Sequence, residues 1–169
     1  PWPLHTGLHP YRQAAIDVAR KLCPDLGHSV EEVTPELDWK ALLQAFLPAM
    51  MSALPHSIAA LESLTGRTAG ADTLEPMTLR ALDYARTLTI PDLFKADAVF
   101  QVARQAVDRF FLDFDAWITP AGVSPAPRIG EFDPAASEEG VIEYARRTFA
   151  DYAAFTPLLN VTGHPAASV

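Results

Sequence analysis

The feature that most constrains this chain is an apolar stripe between Thr89 and Phe114. Leu93, Ala96, Phe100, Ala103, Val107, Phe110 and Phe114 recur in alternating steps of three and four, the spacing that gathers side chains on one face of an α-helix. Lys95, Asp97, Arg104, Asp108 and Arg109 fall off the stripe. Thr89-Ile-Pro-Asp92 has capping-box spacing and places its proline in the first turn, where a missing N–H costs nothing. The pattern predicts one helix over 90–114, with Phe100, Val107, Phe110 and Phe114 buried together. A stripe of that length needs a second layer to cover it, so the rest of the chain has to supply one.

Further helices are legible around it. Tyr11, Ala15, Val18 and Leu22 form a stripe over 10–23, with Gly27 as its stop. Asp38 is placed to cap a helix over 38–53, Pro55 starts another over 55–65, and Gly66 ends it. Asp72-Thr-Leu-Glu75 has capping-box spacing before a helix over 75–88 whose inner side is Met77, Ala81, Tyr84 and Leu88. Ser137 is placed to cap a helix over 138–153, with Ile142, Ala145, Phe149 and Tyr152 as its stripe. Three short apolar runs read as strands: 28–33, 116–119 and 166–169. The proline-rich stretch from Pro120 to Pro134 is a stiff loop, and Phe155 to Val169 is an apolar tail with turn residues. The expected fold class is α/β, predominantly helical with a few short strands, in a single region over 1–169.

Composition narrows the function classes. The net charge is −8 with 13 lysines and arginines against 21 acids, a poor balance for gripping a phosphate backbone, so nucleic acid is not an expected partner. One cysteine excludes a disulfide framework and a multi-cysteine zinc site. The uncharged stretch 41–61 is long enough to span a bilayer, but Pro48, Pro55, His56 and several serines interrupt it. A buried helix pair hinged near Pro55 is the expectation, with no membrane partner. Pro1-Trp-Pro3 carries no targeting pattern, and the expected location is cytoplasmic. The apolar run 166–169 stops within a strand pattern, which reads as a piece of a longer protein.

The search for chemistry returns little. No serine sits in a Gly-x-Ser-x-Gly turn, and Ser52, Ser57 and Ser63 fall in helices. Cys23 ends a helix, the wrong pole for a thiolate. His5 and His9 have metal-ligand spacing only on a helix, which Gly7 and the flanking prolines disfavour. Asp113 and Asp115 belong to different elements, and no ligand set converges, so no metal is expected.

Three segments, taken in order, resemble the C-terminal part of the amidase signature family: Leu26-Gly-His-Ser-Val-Glu-Glu-Val33, Phe114-Asp-Ala-Trp-Ile-Thr-Pro120 and Phe155-Thr-Pro-Leu-Leu-Asn-Val-Thr-Gly-His-Pro-Ala-Ala-Ser-Val169. The last is similar to the family's Asn-x-Thr-Gly-x-Pro-Ala-x-Ser pattern. Leu64-Thr-Gly-Arg67 and Asp72-Thr-Leu-Glu-Pro-Met-Thr78 resemble a subgroup related to 6-aminohexanoate cyclic dimer hydrolases. The resemblance implies a mixed sheet wrapped by helices and hydrolysis of carboxylic amides by a Ser-Ser-Lys triad, with no cofactor. It implies a small-molecule amide as substrate and leaves a homo-oligomer open.

None of the triad carries over. There is no Gly-Ser-Ser or Gly-Gly-Ser stretch, and Lys21, Lys40 and Lys95 lie in helical contexts. The resemblance therefore places the catalytic residues outside this chain. Asn160, Thr162, Gly163, Pro165 and Ser168 match the motif in a structural role, Gly163 for a tight turn and Pro165 for entry to the last strand. Thr119 and Pro120 are candidates for the substrate-pocket wall. Met50 and Met51 are candidates for an adaptable apolar lining. The competing reading is a stand-alone helical domain used for binding or assembly.

Overall fold

The structure, a computed structural model, describes residues 7–168. Among the described residues, seven α-helices and one π-helical segment follow one another: α1 (Pro10–Asp25), α2 (Trp39–Met51), α3 (Leu54–Thr65), α4 (Pro76–Thr87), α5 (Ile90–Asp113), α6 (Val141–Ala145), the π segment Arg146–Tyr152, and α7 (Thr156–Thr162). Helix α5 is the centre. Helix α2 packs along it, α7 lies on it from another side, and α4 contacts α2, α3 and α6.

Small side chains make this arrangement possible. The buried residues of α5 are Ala96, Ala103, Ala106 and Val107, and three alanines let neighbouring backbones approach closely. Leu42 of α2 and Leu158 of α7 close over Ala103 and Val107 in one cluster. Val107, at 0% exposure, is the most enclosed side chain among the described residues. The expected stripe is thus correct at its alanines and at Val107 and shifted at its ends. Leu93 is exposed and Ala106 is buried instead. Phe100, Phe110 and Phe114 are only half-buried. The last two stack on each other at 4.7 Å, with Trp117 against Phe110 at 5.6 Å.

The start of α5 is built as its sequence indicates. The Asp92 carboxylate accepts from the Thr89 N–H at 3.0 Å and from the Thr89 hydroxyl at 2.6 Å. These bonds to Thr89, the hydroxyl's first, hold the Asp92 carboxyl below its ordinary range. At α4 the expected box is not formed. Glu75 precedes a proline, which pushes its backbone to φ −65°, ψ 151°, so the helix begins at Pro76. The preceding turn is tied instead by Thr73, whose hydroxyl donates to the Thr68 carbonyl and accepts from the Gly70 N–H. Ser137 does not cap α6 either, since Gly140 takes the N-cap position.

None of the three predicted strands forms among the described residues. Residues 28–33, 116–119 and 166–168 have no regular structure, and Val169 lies outside the described residues, as does His5. A strand exists only by pairing its backbone with a neighbour, and the described residues bring no two of these runs together in a ladder. The fold class shown is therefore predominantly helical, without the sheet. The tail also differs from expectation in containing α7, which Pro157 opens in its first turn and Gly163 closes at φ +78°. The stretch 41–61 is broken into α2 and α3 as expected, although Trp39–Thr65 is long and apolar enough to cross a membrane by length and composition. The stripe of α1 is exposed, with Tyr11 at 68% and Val18 at 65%.

The loop from Pro120 to Gly140 is fastened by its backbone. Arg12 of α1 donates to the Ser124 carbonyl at 3.1 Å, Arg80 of α4 donates to the Ser137 carbonyl, and Arg147 of the π segment donates to the Glu131 carbonyl at 2.9 Å. Arg147 also lies over the Phe132 ring at 4.9 Å and pairs with Glu139 at 3.0 Å. The Tyr144 hydroxyl donates to the Phe132 carbonyl at 2.8 Å. Gly122 allows the loop to meet the π segment, because a Cβ there would stand 3.0 Å from the Tyr152 carbonyl.

Two outcomes follow. Val107→Ala should lower unfolding free energy by about 2–3 kcal/mol, and Ala103→Leu by about 1–3 kcal/mol through overpacking, both read from denaturant titration; no change in either would reject α5 as the centre of the core. Because the Asp92 carboxyl is depressed in the folded state, its contribution is present above the unfolded carboxylate range and is lost as pH falls through the lower folded value. The stability gap between the parent and Asp92→Ala should therefore be constant near neutrality and close under acid, as followed by circular dichroism.

Candidate functional site

The motif segment is anchored at its helical part. Leu158 and Thr162, at 4% and 3% exposure, are the buried residues of α7. Beyond Gly163 the chain turns back, and His164 follows. Its Nε2 lies 3.0 Å from Asp108 Oδ1 on α5, its Nδ1 lies 3.1 Å from the Thr162 hydroxyl, and its ring lies 5.4 Å from Phe111. A carboxylate only accepts, so Nε2 carries the proton. Nδ1 then accepts from Thr162 in the neutral ring, or donates to it in the charged ring. Both protonation states are satisfied.

This string has the carboxylate–imidazole–hydroxyl order of an acyl-transfer relay. Its hydroxyl is enclosed, however, so a substrate has no approach to it. The arrangement fastens the segment after α7 onto α5. Asn160, Gly163, Pro165 and Ser168 are exposed around it, and no strand follows Pro165 among the described residues.

Three of the serines are engaged in local backbone contacts. Ser52 donates to the Ala49 carbonyl at 2.8 Å, Ser124 donates to the Pro125 carbonyl, and Ser137 accepts from the Glu139 N–H. Cys23 is free and half-buried near the C-terminal end of α1. Among the described residues no serine makes a hydrogen bond to a lysine or histidine, and no group of three or more His, Cys, Asp or Glu could hold a metal ion.

The candidate wall residues lie in two places. Met50 and Met51 end α2, the first exposed and the second half-buried; Thr119 and Pro120 are half-buried at the start of the fastened loop. Neither pair lines either of two clefts. The first cleft is apolar, between α2, the π segment and α7. Phe46 and Phe149 flank it with ring centres 5.3 Å apart. Its 40 Å³ admits little more than one small group.

The second cleft is wider, at 430 Å³, and mixed in character, between α2, the end of α4 and the first turns of α5. Tyr84, Asp92, Lys95 and Gln44 bring polar groups to it. Partial burial, and then the charge of Asp92, push the Tyr84 hydroxyl above its ordinary range. Sequence reading missed this cleft and the Asp108–His164 contact. Each joins residues from separate elements, and only Pro48, which interrupts α2 beside the second cleft, leaves a local sign.

The comparisons with known proteins bear on the whole chain. The profile of the Amidase family matches residues 2–169. The chain is 31% identical over 168 residues to the Mycobacterium leprae (strain TN) protein named "Putative amidase AmiC", a match covering 94% of this chain and 32% of that protein. It thus spans about a third of the length of the curated relative it matches. No solved structure matches with significance. With the family profile running from one end of the sequence to the other, the chain belongs to the amidase family.

Proposed function

We propose that this chain is the C-terminal portion of an amidase that cleaves carboxylic amide C–N bonds through a Ser-Ser-Lys acyl-enzyme mechanism, with the triad in the preceding region. The observation that carries this reading is the family match across residues 2–169 in a chain that covers 32% of its relative. The chemistry agrees with it. An acyl-transfer nucleophile needs a base in contact and backbone donors for the oxyanion, and the serine contacts described above provide neither.

On this reading the runs 28–33, 116–119 and 166–169 are strands that pair with the preceding region, completing a mixed sheet wrapped by helices. The chain then contributes packing and a share of the acyl-pocket wall, with Thr119, Pro120, Met50 and Met51 as the lining residues. The substrate is a small-molecule amide of the kind taken by 6-aminohexanoate cyclic dimer hydrolase-like enzymes, in a cytoplasmic protein that needs no cofactor.

Labelling separates the parts of this proposal. The longer polypeptide should turn over a panel of carboxylic amides and take up one equivalent of a fluorophosphonate on a serine that precedes this chain. The 169-residue chain alone should do neither. Stoichiometric labelling of any serine between Ser29 and Ser168 would place the nucleophile here instead, and failure of the longer polypeptide to cleave any amide would reject the amidase reading.

A further inference from the structure

The cleft between α2, α4 and α5 contains two charged groups, Asp92 and Lys95, that form no ion pair among the described residues, although, after the bonds to Thr89, the Lys95 charge helps to lower the Asp92 carboxyl. Asp92 uses one carboxylate oxygen, Oδ2, for both bonds to Thr89. Its other oxygen, Oδ1, has no hydrogen-bond or ion-pair partner among the described residues. Lys95, one turn further along α5, is exposed and forms no ion pair among the described residues. Across the cleft, Pro48 has no N–H to give to the Gln44 carbonyl, which therefore lacks its helical partner. The half-buried Tyr84 hydroxyl lies near enough to Asp92 to feel its charge. Leu88 and Val99 supply apolar wall.

We infer that this cleft is a binding site for a free amino acid with an aliphatic side chain. The ammonium group is held by Asp92 Oδ1 and the Gln44 carbonyl, the carboxylate by Lys95, and the side chain by Leu88 and Val99. Three observations choose this class. The two charges have opposite sign on adjacent turns of one helix and form no ion pair with each other, so they match a ligand bearing both signs a few atoms apart. The Gln44 carbonyl, which has no i+4 donor, and the Asp92 carboxylate oxygen are acceptors, as an ammonium with three N–H groups requires. The volume of 430 Å³ lies in the range of small-ligand sites, whereas the apolar cleft at 40 Å³ does not.

The test is calorimetric titration of the full 169-residue chain with L-leucine, 3-methylbutylamine and 4-methylpentanoate, which present both charges, the ammonium alone and the carboxylate alone. L-Leucine should bind saturably at millimolar concentration or below, and each single-charge analogue about tenfold more weakly, the loss of one charge-assisted contact. Lys95→Met should bring L-leucine down to the affinity of the amine and leave the amine unchanged. Asp92→Asn, which retains a capping side chain, should bring L-leucine down to the affinity of the carboxylate. Far-UV circular dichroism of each variant checks that α5 remains folded. Absence of saturable binding by L-leucine, equal affinity for the three compounds, or an unchanged L-leucine affinity in Lys95→Met would overturn the assignment.

Discussion

The close approach of α2 and α7 to α5 governs the rest of the structure, and it depends on alanine. Ala96, Ala103 and Ala106 present almost no side chain, so the neighbouring helices come near enough for Leu42 and Leu158 to cover Val107. The stabilisation comes from apolar area removed from water and from dense contact in a layer with little room for voids. Everything else is placed by reference to this layer. Helix α4 reaches the core through α2, and α7 brings the family motif to the flank of α5. A core of small residues on a long helix is narrow, and that leaves the phenylalanines near the end of α5 half-buried and stacked on one another.

What could be read from the sequence follows a physical division. Helices announced themselves by spacing and punctuation. Pro55 and Gly66 bracket α3, and Thr89 and Asp92 open α5, because capping is decided within a few residues. Where two local rules compete, the stronger one decides. At Glu75 the steric demand of Pro76 overrides the capping-box pattern from Asp72. The strand readings are not met among the described residues for a different reason. The runs 28–33 and 116–119 have strand composition, but a strand is a property of two segments, and one segment's composition does not say whether a neighbour is present.

The site residues divide the same way. Thr162 and Gly163 could be singled out from a motif, yet what they do became visible only with Asp108, which lies 56 positions from His164. Tyr84, Asp92 and Gln44 come from three helices and share no spacing. Asp92 was recognised as a helix cap, which accounts for one of its oxygens and conceals the other. The exposed stripe of α1 shows the limit of periodicity as a guide: it identifies the face that an apolar helix would bury, but not whether a partner is there.

The loop between Pro120 and Gly140 is gripped by Arg12, Arg80 and Arg147 at three of its own carbonyl oxygens, and Arg147 alone also engages loop side chains, the Glu139 carboxylate and the Phe132 ring. Every residue type offers the same carbonyl, and a guanidinium presents several N–H donors in a fixed fork. The path of the loop is thereby uncoupled from much of its sequence. Side chains such as Ile129 and Ala126, which point away from these contacts into solvent, are free to diverge while the backbone keeps its course. Such a segment can acquire new recognition properties by drift, at little cost to the scaffold that carries it.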